Sequence, residues 1–300
     1  MILNEIIEGG LLGDGSIRSQ DGKYFTFQIV GKDVEFLKWV AKYFNMSGIN
    51  CWISRNNTDL FMLGFYINTC PYPKFLSLRK EWYTRISGKT VKILPSNLEI
   101  TPIKLLFWYL GDGCLVRRKN DGNRVPFIVL ATNCFSKENI DILIGKLKEL
   151  GLNFYPVEYK SGFTGKKCGY CLYSNTQDGT PFRFFKFIGL DCPSEIENCT
   201  TGAKGIYHEQ KFFKDKWPRE EDWIKILSNV KDLGPILRKR RFELGLSQNQ
   251  FGKKIGIRRE NIRDVELMKR NFSVKNFRKI LEALNLDIPY LLKVLNTQNQ

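Results

Sequence analysis

Three hundred residues, 43% hydrophobic and 26% charged, suffice for two or three domains with cores of their own and are too balanced for a disordered or collagen-like chain. The 47 Lys and Arg against 31 Asp and Glu leave +16, an excess expected of a protein that meets phosphate. A single histidine, His208, excludes an HExxH zinc site, because Phe212 stands where the second His would be. No apolar run reaches the roughly eighteen residues of a membrane span, and an N-terminus carrying Glu5 and Glu8 is not a signal peptide. An intracellular location, cytoplasmic or organellar, is expected.

Residues 6–17 read IIEGGLLGDGSI, an apolar helix-like run that ends in Gly-Asp-Gly, with Asn4 as its N-cap. Strands are expected over 24–30, 51–55 and 60–68. Helices are expected over 33–44, with Val34, Leu37, Val40, Ala41 and Phe44 on one face, and over 73–83. The order then begins again. Residues 105–116 read LLFWYLGDGCLV, after Thr101 as cap and Pro102 at the first helical position. Strands are expected over 127–132, 152–159 and 170–174, and helices over 137–150, with Ile140, Leu143, Ile144 and Leu147 inward, and 181–188. The fold class is therefore α+β, built from two αββαββα repeats, one over 1–98 and one over 99–212.

Glycines inside a helix cost about 1 kcal/mol each relative to Ala, so Gly9, Gly10 and Gly13 need a reason. Close approach of two helices supplies one, with Gly13 and Gly111 at the crossing and Asp14 and Asp112 converging. Two carboxylates at helix C-termini repel each other and the helix dipoles. A divalent cation such as Mg2+ relieves both problems, taking the carboxylates and last-turn carbonyls, those of Gly13 and Gly111, as hard oxygen ligands. For either motif alone, an Asp-Gly turn after a helix is the simpler reading. The matched pair favours a metal centre.

Eight cysteines are too few for a disulfide scaffold of this length. Cys168 and Cys171, with Cys192 and Cys199, have a spacing open to zinc, or the first pair are small residues of a strand. Redox chemistry at this CxxC is disfavoured by its strand context.

IEGGLLGDG and LLFWYLGDG resemble the signature helices of the LAGLIDADG homing endonucleases in their monomeric, two-motif form. The longer stretches ILPSNLEITPIKLLFWYLGDG and FIVLATNCFSKENIDILIGKLKELGL extend the resemblance, which covers about residues 1–212. It implies a saddle of antiparallel strands over double-stranded DNA, with Asp14 and Asp112 as catalytic metal ligands and Lys92 as a basic residue near a scissile phosphate. It also implies metal-assisted hydrolysis giving a double-strand break with short 3′ overhangs. Gln28, Lys32, Arg55, Arg117, Arg118, Asn133 and Lys160 are the candidates to reach DNA. Where the second repeat should carry the partner of Lys92 it has Asn198, so unequal cleavage of the two strands is expected unless Lys204 substitutes.

Residues 213–232 read as a connector. Beyond them lies a basic segment in which 231–300 carry 16 basic and 7 acidic residues, a net +9. Helices are expected over 233–242, 248–255 (capped by Ser247 and ended by Gly256), 258–266, 273–284 and 289–295. LRKRRFELGLSQNQFGKKIGIRRENIRDVE resembles a Cro/repressor-type helix-turn-helix, which implies a DNA-binding domain over 233–300. Its third helix would enter the major groove, with Arg258, Arg259, Asn261 and Arg263 as readers. A fragment ending near Ser228 is then expected to fold without it. The leading reading is a monomeric, intron-encoded, site-specific endonuclease with added DNA recognition. A non-catalytic transcription regulator and a maturase that binds its host intron RNA are the alternatives. An intein is disfavoured by Met1 and by the lack of His-Asn at the end, and a Walker phosphate loop by Tyr83 ahead of Gly88-Lys89-Thr90.

Overall fold

The structure, a computed structural model, describes residues 2–19, 21–55, 64–118, 122–160, 167–201 and 211–297. His208, Lys204 and the first residues of the strand expected over 60–68 lie outside them, as do the side chains of Lys160 and Cys168. The chain forms two compact units. One comprises Met1–Leu115, Ile128–Tyr173 and Phe187–Trp217; the other comprises Val116–Phe127, Ser174–Lys186 and Pro218–Gln300. Among the described residues no helix is long and apolar enough to cross a membrane.

The first unit is organised on α1 (Ile2–Leu12) and α4 (Pro102–Asp112), which pack against each other. Asn4 lies inside α1 rather than capping it, whereas Thr101 caps α4 as expected, accepting from the Lys104 amide. Gly9 makes the contact possible: a Cβ there would stand 2.5 Å from the Lys104 carbonyl oxygen. At Gly13 and Gly111 an added Cβ would meet its nearest neighbours at 3.6 and 3.4 Å. The closest approach is thus a turn earlier than the motif's last glycines, because α4 brings the Lys104 backbone and the Phe107 side chain to Gly9. A Glu8–Lys104 ion pair at 2.6 Å and a bond from Thr101 Oγ1 to Glu5 Oε2 tie the two helices together.

Helix α4 runs directly into a strand, and α1 does so after the turn Gly13-Asp14. After α1 come β1 (Gly15–Arg18), β2 (Thr26–Gly31), α2 (Val34–Met46), β3 (Cys51–Arg55), β4 (Phe65–Thr69) and α3 (Pro73–Trp82). The antiparallel sheet has the order β1-β2-β4-β3. Alternation sends Ile17, Phe27, Ile29 and Ile67 to the helix side, where Phe27 meets the rings of Phe44 at 5.5 Å and Phe75 at 6.3 Å. A hairpin follows that periodicity did not reveal, β5 (Tyr83–Ile86) and β6 (Lys89–Lys92), closed by Ser87 and Gly88 at positive φ. It supplies Tyr83 Oη to the Ile17 amide, while Arg79 donates to the Ile17 carbonyl, so the free edge of β1 is satisfied by side chains.

The second repeat copies this plan with β7 (Gly113–Val116), β8 (Phe127–Ala131), α5 (Lys137–Glu149), β9 (Phe154–Lys160), β10 (Lys167–Ser174) and α6 (Thr180–Ile188), in the sheet order β7-β8-β10-β9. Cys171 lies on β10, and Cys192 and Cys199 follow α6; among the described residues no three His, Cys, Asp or Glu side chains gather to hold an ion.

Residues 213–232 are packed rather than free. A 3-10 turn, Phe213–Lys216, buries Phe213 against the Phe36 ring at 4.7 Å within the first unit. In the second unit α7 (Glu220–Leu227) sets Trp223 against Phe182 and Phe185 of α6. The bundle is completed by α8 (Leu233–Glu243), α9 (Gln248–Ile255), α10 (Arg259–Glu266), α11 (Val274–Leu284) and α12 (Ile288–Thr297), around Leu233, Leu237, Phe251, Ile262, Phe277, Leu284 and Leu291.

Candidate active site and nucleic-acid interface

The carboxylates of Asp14 and Asp112 meet where α1 and α4 end. Asp112 Oδ2 lies 3.6 Å from the Cβ position of Gly13, Asp14 Oδ2 lies 3.5 Å from that of Gly111, and the two side chains share a hydrogen bond. Asp14 keeps surface open to solvent; Asp112 is half-buried. Desolvation, followed by the neighbouring charge of Asp14, pushes Asp112 up to about 7. Burial also raises Asp14, against the opposing pull of Lys216, Lys92 and Lys32.

Two lysines flank the pair in matching positions. Lys92 Nζ donates to the carbonyls of Leu11, Gly13 and Gly15 at 2.8, 3.2 and 3.0 Å. Lys216 Nζ donates to those of Tyr109, Leu110 and Gly111 at 3.1, 2.6 and 3.4 Å. Each thus satisfies the orphan carbonyls of one motif helix and sets a positive charge at the negative end of its dipole. Desolvation lowers the pKa of both, that of Lys216 to about 8. The Lys216 backbone is fixed in turn. Tyr109 Oη donates to its carbonyl, Trp217 meets the Tyr109 ring edge-on, and Trp217 Nε1 donates to Gly189 O.

Lys216, and not a residue at position 198, is the lysine beside the second motif helix; Asn198 accepts from Lys214 and donates to Glu197 Oε1. Lys92 lies 79 residues from Gly13 and Lys216 lies 105 from Gly111. The longer second repeat moves the lysine into the segment expected to be a connector, where spacing gives no signal.

The donor set suits a hard divalent cation. The site offers two carboxylates and the carbonyl oxygens of Gly13 and Gly111, all hard oxygen donors gathered at the ends of two helices.

The DNA candidates divide. Gln28 lies on the open face of the first sheet, its amide donating to Asn68 Oδ1. Lys32 is exposed near Asp14, and Asn133 is exposed beyond β8. Arg55 shares the strand parity of Ile53, so it stands at the exposed end of β3 on the helix-side parity rather than the open one. In the second unit Arg117 is tied to Asp222 at 2.7 Å, and exposed Arg118 lies over the Phe127 ring.

Within the bundle, Ser247 and Gln250 form a capping box at α9 and Gly256 ends it in the left-handed region. A Cβ on Gly252 would stand 2.5 Å from the Ile257 carbonyl oxygen, so even Ala is crowded in the turn. Arg241 and Glu266 form a buried two-point ion pair at 2.6 and 2.8 Å that Gln248 joins. Arg258, Arg259 and Arg263 are exposed at α10; Asn261 is half-buried and accepts from Arg270.

The model of the LAGLIDADG DNA endonuclease family matches residues 4–182. The chain belongs to this family. A helix-turn-helix model matches residues 236–291, so this LAGLIDADG protein also carries a helix-turn-helix. An uncharacterized protein of Methanocaldococcus jannaschii is 32% identical over 158 residues, 51% of this chain and 58% of its own. The cytochrome b mRNA maturase bI2 of Saccharomyces cerevisiae is 30% identical over 156 residues, 48% of this chain and 35% of its own. The chain thus spans less than two thirds of either relative. Among solved structures, the homing endonuclease I-WcaI bound to its DNA recognition sequence is 22% identical with a TM-score of 0.48, over 62% of this chain and 80% of that one. I-DmoI in complex with DNA and Mn is 12% identical with a TM-score of 0.37, over 62% and 96%.

Proposed function

We propose that this LAGLIDADG protein is a monomeric, site-specific, double-strand DNA endonuclease encoded within an intron. In this reading residues 1–98 and 99–212 supply the cleavage module and 233–300 a helix-turn-helix that extends recognition. The observation that carries it is the Asp14–Asp112 pair, flanked by Lys92 on one motif helix and Lys216 on the other. A bound Mg2+ or similar ion, held by the two carboxylates with the Gly13 and Gly111 carbonyls, would polarise a phosphoryl oxygen and lower the pKa of a water. The chain's own groups do the rest. Asp14 and Asp112 fix the ligand geometry from two rigid helix ends. Lys92 and Lys216 stand ready to offset charge that develops on each of two phosphates. No histidine is needed.

Asp14→Asn or Asp112→Asn should abolish double-strand cleavage and leave DNA affinity nearly intact, since binding energy comes mostly from phosphate contacts. Full cutting by either variant in Mg2+, in a gel assay on its target duplex, would refute the assignment. The yeast maturase among the relatives favours a second reading, binding of a host intron RNA. Splicing of that RNA in vitro, unaffected by Asp14→Asn, would support it beside the nuclease role.

A further inference from the structure

Each sheet of the first unit has one face on its helices and one face open, and the two open faces differ in chemistry. In the first sheet Ser16, Gln28, Asn68 and Trp52 stand in one cross-strand row. Gln28 Nε2 donates to Asn68 Oδ1 at 3.0 Å, and Arg18 Nε donates to Ser16 Oγ at 3.2 Å. The next row, Val30, Tyr66 and Ser54, adds two more polar groups and one exposed valine. This face carries amides, hydroxyls and one guanidinium along β1, β2 and β4, with the exposed Val30 among them and Trp52 on the outer strand.

On β7, β8 and β10 of the second sheet, the described side chains of that parity within the first unit are Cys114, Val129, Ala131, Cys171 and Tyr173, with Ala131 opposite Cys171 and Val129 opposite Tyr173. Their neighbours Ile128, Leu130 and Leu172 face the helices and are fully buried. On these three strands the Tyr173 hydroxyl is the one strong hydrogen-bonding side chain described; on β9 the Tyr155 ring lies 6.2 Å from that of Tyr173, and Cys171 is turned to Asn133 Oδ1 just beyond β8.

Gly15 and Gly113, the first residues of β1 and β7, directly follow Asp14 and Asp112. A duplex that presents phosphates to both carboxylates therefore lies along both open faces. Base pairs are told apart by donor and acceptor patterns; an amide reads adenine through two bonds, whereas an apolar side chain senses only the thymine methyl. We propose that discrimination is divided unequally between the two halves of the target. The half over the first sheet is read base by base, and the half over the second sheet is accepted broadly, with a preference for thymine methyls. The proposal rests on the endonuclease reading of the first unit.

The test is selection of bound duplexes from a random pool by the full chain carrying Asp112→Asn, which separates binding from cutting. Enriched sequences should contain a constrained block and a degenerate, thymine-biased block beside it. The block owed to the helix-turn-helix is recognised by its loss in Arg259→Ala. Adding Gln28→Ala should relax the constrained block, lowering preference by about tenfold or more at the affected base. Adding Cys114→Ser, which installs the residue that the first sheet has at Ser16, should sharpen the degenerate block and leave the constrained one alone. Two equally constrained blocks, or a constrained block indifferent to Gln28→Ala, would overturn the inference while leaving the endonuclease reading standing. Failure to enrich any duplex would overturn both.

Discussion

Lys216 holds at the end of α4 the place that Lys92 holds at the end of α1, each with its ammonium on three carbonyls. The asymmetry expected from Asn198 therefore gives way to parity. End-labelled duplexes should be nicked on both strands at comparable rates by the wild-type chain. Lys92→Met and Lys216→Met should each slow a different strand, by about 10²-fold if the ammonium offsets transition-state charge. Loss on the same strand in both variants would count against paired roles, and thermal melting of each variant checks that it folds.

Asp112 also makes stability depend on pH. Its carboxyl, raised from 3.8 to about 7, keeps its proton in the folded chain where the unfolded chain has released it. The favourable contribution is fully present below about pH 4 and is lost as pH rises through 7. With metal chelated, Asp112→Asn should raise the melting midpoint at pH 8 by a few degrees, about 2–4 °C for each kcal/mol, and should change it little at pH 4. An equal shift at both pH values in calorimetry would point to packing instead of charge.

Among the elements, the helix-turn-helix encloses a buried charge pair beside its apolar core. Arg241 and Glu266 are 2% and 5% exposed, and removing one partner of a buried pair costs about 3–5 kcal/mol. Arg241→Ala should melt the bundle selectively, seen as lost helical circular dichroism and lost protection of α9 and α10 amides from exchange, while β2 and β8 remain protected. The capped helices were the most legible parts of the sequence, because Thr101, Ser247 and Gly256 act on their own backbone neighbours. The hairpin of β5 and β6 was hidden because its role is at long range: Tyr83, read as the end of a helix, bonds to Ile17. The partners of Arg117 and Lys216 are hidden in the sequence for the same reason. A charge on a sequence shows its sign, and only the fold shows that Asp222 holds one and that helix carbonyls hold the other.

At the scale of the whole molecule, the basic C-terminal part is not a detachable tail. Its compact unit includes α6 of the second repeat, with Phe182 and Phe185 on Trp223, Lys186 bonded to Leu295 O and Asn271 to Gln177 O. A fragment ending near Ser228, expected from sequence to fold independently, should melt below the full chain, because it strips these last partners from the segment 174–186. Local periodicity identifies an apolar face but not what covers it, so this sharing was invisible beforehand. DNA contact by the bundle is best tested in the intact chain. Arg259→Ala should lower the slope of log affinity against log salt by about 0.9 if the residue neutralises a phosphate, or relax one base position by about 1–3 kcal/mol if it reads a base. No change in either would remove α10 from the interface.

The position of Lys216 also bears on the order in which the protein is made. Chains emerge and fold from the N-terminus, so Asp14, Lys92 and Asp112 leave the ribosome well before the second lysine, which arrives just ahead of Pro218, where the helix-turn-helix unit resumes. A nascent or prematurely terminated chain that lacks residue 216 carries both carboxylates but only one of the two lysines. On the proposed endonuclease reading, full cutting chemistry would thereby be withheld until synthesis reaches the segment that adjoins the helix-turn-helix.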